Sequence, residues 1–173
     1  SRVSRGLGDV YKRQVKRCVI EALDISGNPS SIHSSGRRAR AMVEKARGQI
    51  ASSFGVTHEN IIFTSGATEA NTLALAGSKC RRVFVSGVEH QSVLEAVGHV
   101  EKIAVDQDGL VSPECLDTLL RHNGNSVLVS VMLANNETGV IQPIAELARI
   151  AHEYGALFHC CLLYTSPSPR DTR

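Results

Sequence analysis

The sequence predicts an α/β fold, a mostly parallel sheet flanked by helices, on three observations. Short apolar runs rich in β-branched residues alternate with segments of helical periodicity. One of those runs, residues 127–133, is apolar almost throughout, as a strand covered on both faces must be. The 173 residues, 42% of them hydrophobic, suffice for one compact core, and neither a repeat nor a linker divides the middle of the chain.

The elements follow in order along residues 15–161. Ser34 or Ser35 caps a long amphipathic helix in which Ala39, Val43, Ala46, Ile50 and Phe54 recur at helical spacing among Arg37, Arg38, Arg40, Glu44, Lys45 and Arg47, and Gly55 closes it. The β-prone run Ile61-Ile62-Phe63 predicts a strand over 61–64, broken at Gly66 and followed by a helix over 68–76. Next come a strand over 82–86, a short helix over 91–97, a strand over 102–105 and a turn over 106–109 ending on glycine. Pro113 opens a helix over 113–122. The apolar strand over 127–133, a helix over 144–154 and a strand over 156–160 complete the series.

Charge and cysteine content narrow the function. The net charge is +2, but the two ends, residues 1–14 and 162–173, hold six of the 19 basic and two of the 17 acidic residues, so the middle is slightly acidic. No basic stripe or stacking aromatics remain there, and no nucleic-acid partner is expected. Both ends also differ in composition from the middle, Gly/Arg/Ser-rich before residue 15 and Pro/Ser-rich after 163, and are set aside as non-family or disordered sequence. The five cysteines are odd in number and irregularly spaced, without a Cys-x-x-Cys pair, which predicts small buried apolar groups and no metal site. No run reaches membrane-spanning length and no apolar leader opens the chain, so a cytoplasmic location is the expectation.

In parallel sheets ligands gather where strands end, and four loops there carry the chemistry. Gly27-Asn28-Pro29-Ser30-Ser31-Ile32-His33 leads into the long helix and reads as a structural turn plus N-cap. Phe63-Thr64-Ser65-Gly66-Ala67-Thr68-Glu69-Ala70-Asn71 places small and hydroxyl residues at a helix start, which suits either an anion or an ordinary turn capped by Ser65. Gly66 is expected to let the backbone turn sharply there. Glu89-His90-Gln91-Ser92 puts a histidine just past a strand, either as a helix entry or as a group that stacks on a planar ligand and moves protons. Asn135-Asn136-Glu137-Thr138-Gly139 follows the most apolar strand, as a ligand-facing loop or as self-satisfied Asx turns.

Taken together, the four segments resemble the cysteine desulfurases of the class V aminotransferase superfamily over about residues 15–160. The resemblance implies the large domain, incomplete here, of a fold-type I pyridoxal-phosphate transferase, spanning 15–161. It implies pyridoxal 5'-phosphate as cofactor, with Ala67 and Thr68 at its phosphate, His90 stacking on the ring and moving protons in catalysis, and Asn136 near the ring's phenolic oxygen. Glu69 and Asn71 are assigned to helix-start structure. The implied substrate is L-cysteine, whose sulfur passes through an enzyme persulfide to an acceptor scaffold protein for iron–sulfur or thio-cofactor assembly. A homodimer is implied for the full-length enzyme. The family continues into an aspartate, where this chain has Cys161, and then to a Schiff-base lysine and a nucleophilic cysteine that match nothing here. The chain alone is therefore expected to be inactive. A selenocysteine lyase or a non-catalytic scaffold with the same fold are the alternatives.

Overall fold

The computed structural model describes residues 13–123, 126–135 and 137–162, and divides the chain into two compact units, residues 1–63 and 64–173. In the first unit α1 (Arg13–Leu23) is followed by the long helix α2 (Ser34–Phe54) and a single 3₁₀ turn at His58–Asn60. Helix α1 was not expected, and it starts inside the segment set aside by composition. Its apolar residues Val15, Val19, Ile20 and Leu23 recur at helical spacing, yet all are exposed.

The cap of α2 is His33 rather than Ser34 or Ser35: its Nδ1 accepts the Gly36 N–H at 3.2 Å. The lead-in loop folds so tightly on this helix start that a Cβ at Gly36 would lie 2.5 Å from Ser31 O and 2.7 Å from Asn28 O. Gly27-to-His33 is thus a structural turn, as expected. Gly55 ends the helix in the left-handed region at φ 65°.

The strand expected over 61–64 is absent, since that run finds no ladder partner among the described residues. Ile61 N–H donates to His58 O, Ile61 O accepts from Arg47, and the Arg47 guanidinium lies 4.8 Å from the Phe63 ring centre. Both backbone groups of Ile61 that a strand would send sideways are taken up by the preceding turn and by α2.

The second unit is a four-stranded sheet, β1 (Arg82–Ser86), β2 (Glu101–Ile103), β3 (Val127–Ser130) and β4 (Leu157–His159), in the order β2-β1-β3-β4, with every pair parallel. Its helices are α3 (Ala67–Gly77), α4 (Gln91–Leu94), α5 (Pro113–Arg121) and α6 (Ile144–Glu153). Strand alternation sends Phe84, Val127 and Val129 into one core with Leu116 and Leu120 of α5 and Leu147 and Ile150 of α6. Val83, Val85 and Leu128 point the other way, onto Leu75 of α3 and Val93 of α4. Helices therefore cover both faces, which is why β3 is fully buried and reads as unbroken apolar sequence.

Most strands are shorter than the sequence suggested, because pairing stops where loops take over. β3 ends at Ser130, although Val131 and Leu133 still donate to His159 O and Cys161 O. The loop after β2 is fastened by Gln142, whose Oε1 accepts from Val111 N at 2.9 Å and whose Nε2 donates to Gly109 O at 2.6 Å.

Candidate functional site

The site lies in the second unit, where the chain leaves β1 and β3 and enters α3 and α4. Helix α3 begins at Ala67 with Gly66 as N-cap, and no side chain caps it. Its first internal bond is Ala70 N to Gly66 O at 3.1 Å, so the N–H groups of Ala67, Thr68 and Glu69 have no intrahelical acceptor. Ser65 is not the cap. Its N–H and hydroxyl donate instead to Glu69 Oε2 at 2.6 and 2.7 Å, and these bonds, the hydroxyl's first, hold the Glu69 carboxyl below its ordinary pKa. This bears out the structural reading of Glu69.

Gly66 has φ 172° and ψ 179°, extended backbone open to any residue, so the sharp turn expected of it is not what the glycine provides. What it leaves is open space: a Cβ there would meet nothing within 4 Å. A group approaching the three free N–H donors from that side meets no side chain of Gly66.

His90 caps the one-turn helix α4. Its Nδ1 accepts the Ser92 N–H at 3.1 Å and lies 2.8 Å from Ser92 Oγ. Ser92 Oγ in turn accepts from Asn71 Nδ2 at 2.9 Å, which leaves the serine hydroxyl hydrogen for His90 Nδ1. With Nδ1 an acceptor, the neutral ring carries its proton on Nε2. The buried Asn71 thus ties the start of α3 to the histidine turn, and its Nδ2 also lies 3.9 Å from Cys161 Sγ at the end of β4.

Around this turn Gly87, Val88, Glu89, His90, Asn135 and Thr138 line a concavity of about 450 Å³. Asn135 Oδ1 accepts from Glu137 N at 2.8 Å and Thr138 N at 2.9 Å, the Asx-turn alternative for this loop, while its Nδ2 donates to Val88 O at 2.9 Å. Asn136, expected beside the ring's oxygen, lies outside the described residues. Ala67, Thr68 and His90 are brought to one end of the sheet through the Asn71–Ser92 link.

Sequence reasoning did not single out Glu89. It is 7% exposed, its Oε1 accepts from Ser86 Oγ at 2.9 Å and from Met132 N, and its Oε2 is buried with no partner among the described residues. Burial pushes this carboxyl up to about 7 against the pull of those two donors. The available signal was an acidic residue three positions beyond an apolar strand and directly before the histidine.

None of the five cysteines is buried: Cys18 and Cys115 are exposed and Cys80, Cys160 and Cys161 intermediate, which corrects the expectation of buried groups. The Cys160 thiol is pushed up to about 11, by partial burial first and then by Glu89 and Cys161, so it stays protonated at neutral pH.

Residues 9–161 match the family model for aminotransferase class-V, and the chain belongs to the class V aminotransferases. Its sheet and flanking helices are part of the fold-type I pyridoxal-phosphate architecture of NifS-like proteins. The chain is similar to cysteine desulfurase IscS of Dictyoglomus turgidum, 44% identical over 146 residues that make up 77% of this chain and 36% of that protein. It is also similar to cysteine desulfurase IscS 1 of Archaeoglobus fulgidus, 42% identical over 144 residues, covering 76% of this chain and 37% of that one. The solved NifS-like protein from Rickettsia africae superposes with a TM-score of 0.80 at 38% identity, over 89% of this chain and 45% of its own. The chain thus spans less than half the length of these relatives.

Proposed function

We propose that this chain carries the phosphate-binding and ring-binding part of a pyridoxal-phosphate-dependent cysteine desulfurase, an enzyme that takes sulfur from L-cysteine and passes it to an acceptor protein. The observation that carries this reading is the uncapped start of α3, with three free N–H donors under an open approach, joined through Asn71 and Ser92 to His90. These donors suit a phosphate. A helix start contributes about 0.3–1 kcal/mol to an anion, and up to about 2 when partly buried, so the backbone of Ala67 and Thr68 and the Thr68 hydroxyl must act together.

When bound, pyridoxal phosphate supplies an electron sink for cleavage beside the substrate's amine-bearing carbon. His90 is assigned to the ring and the proton transfers: with Nδ1 accepting from Ser92, the neutral ring offers Nε2–H as a donor, and that proton can pass on only as Nδ1 takes another. Asn136 is assigned to the ring's oxygen on the family resemblance. L-cysteine is preferred over selenocysteine as substrate because relatives 44% and 42% identical to this chain are cysteine desulfurases. A homodimer of the full-length enzyme and a sulfur-accepting scaffold complete the reading.

The described residues that line the concavity include no lysine, so the chain is expected to hold the cofactor without a covalent bond. Equilibrium dialysis should show reversible pyridoxal phosphate binding, weakened roughly five- to tenfold by Thr68→Ala or His90→Ala, the loss of one or two hydrogen bonds or a ring contact. Borohydride reduction followed by peptide mass spectrometry should label no single lysine. Labelling concentrated at one of the five would overturn the non-covalent reading, and the absence of any binding would overturn the assignment itself.

A further inference from the structure

The histidine turn and the loop after β3 are joined by two bonds that need no ligand. Glu89 Oε1 accepts the Met132 N–H, across 43 residues of sequence, and Asn135 Nδ2 donates to Val88 O at 2.9 Å, across 47. In both bonds the loop after β3 donates and the histidine turn accepts, and each loop contributes one of the two side chains. Ser86 at the end of β1 fixes the same Glu89 oxygen from below at 2.9 Å. Neither bond belongs to the sheet ladder, whose last regular β1–β3 pair is Val85 with Ser130.

Keeping a carboxyl group at this place is costly, since its second oxygen is buried without a donor. An apolar residue of similar size would avoid that cost but would accept no hydrogen bond from Met132. The Val88–Glu89–His90 segment has no other tie to the β3 exit among the hydrogen bonds of the described residues.

We infer that Glu89 and Asn135 form a cross-tie that sets the position of His90 against the loop after β3, with Glu89 acting as a positioning residue. The inference rests on the assignment of His90 to the cofactor ring. A histidine displaced by an ångström would still cap α4 and fold normally, yet would meet a planar ligand poorly. The tie acts through an acceptor oxygen, not through charge, so glutamine, which keeps that oxygen, preserves it and alanine does not.

The test is hydrogen exchange read by mass spectrometry on the full chain, on peptides that carry Val88 to Gln91 and Met132 to Asn135. Glu89→Ala is expected to speed exchange about tenfold in both peptides, as the loss of one hydrogen bond from a local opening unit predicts, and Glu89→Gln not to speed it in either. Asn135→Ala, at a half-exposed position, should speed both peptides as well, and it decides the matter if Glu89→Ala loosens the β1 and β3 core. If each alanine variant loosens only the loop it sits in, or neither, there is no cross-tie. Pyridoxal phosphate affinity, measured on the same proteins, should fall about tenfold in the alanine variants and recover in Glu89→Gln. Equal affinity in all of them would end the positioning role, while no binding even by the unaltered chain would end the cofactor assignment and leave the exchange result standing.

Discussion

A buried carboxyl group that gains no cation makes folding depend on pH in the direction opposite to most carboxylates. Between pH 4.5 and about 7 folded Glu89 keeps a proton that the unfolded chain has lost, so stability falls as pH rises through that window and levels off above it. The separation corresponds to on the order of 3 kcal/mol. His159, half-buried and 2.8 Å from Ser130 Oγ, has its pKa lowered by desolvation and works the other way, losing stability as pH falls below 6.5. Urea denaturation from pH 4 to 8 separates the two. Glu89→Gln should gain on the unaltered chain by a few kcal/mol between pH 4.5 and 8, while the His159 contribution cancels in the comparison. A constant difference across the range would mean that Glu89 ionises normally. The cysteines give a second reading at this scale. Iodoacetamide at pH 8 should label exposed Cys18 and Cys115 at least about tenfold faster than Cys160, whose thiol at about 11 yields little thiolate.

At the scale of elements, caps and close approaches carry the local energetics. Gly36→Ala is expected to cost about 1–3 kcal/mol, because the new methyl group meets two backbone carbonyls that cannot rotate away. Thermal unfolding measures it, and an unchanged midpoint would show that the 27–33 loop is free to retreat. The tightness of this loop was hidden in the sequence, where Gly27 read only as part of a turn and Gly36 fell inside the helix expected from Ser34 or Ser35. Legible elements were those with burial on a defined face. β1 was read to the residue over 82–86, and α5 and α6 within one, because Leu116, Leu120, Leu147 and Ile150 recur at helical spacing on their buried sides. The run 61–64 failed because β-propensity describes a fit to a sheet, and Arg47 offered that segment a different partner. Helix α1 was missed although Val15, Val19, Ile20 and Leu23 recur at helical spacing, because it starts within the segment set aside by composition.

For the whole molecule, the alternation of strands and helices was enough to predict a mostly parallel sheet, and the motifs were enough to locate one end of it. What the motifs could not convey was the wiring between them. The bonds Asn71–Ser92–His90 and Glu89–Met132 depend on side-chain directions that only the packed sheet fixes. That sheet also imposes an order of assembly. β1 and β3 pair directly although the chain between them holds β2 and α5, so the centre of the fold closes a loop of some 45 residues. His90 and Ser92 meet within a single turn and need no such closure. Val129→Ala, in the central pair, is therefore expected to slow refolding, whereas Glu89→Ala should chiefly speed unfolding, as stopped-flow chevrons would resolve. A nascent or refolding chain accordingly passes through a period in which the histidine is capped and exposed but has nothing to face. The ties between the histidine turn and the β3 exit need β1 and β3 side by side, so completion of the site reports that the sheet has closed.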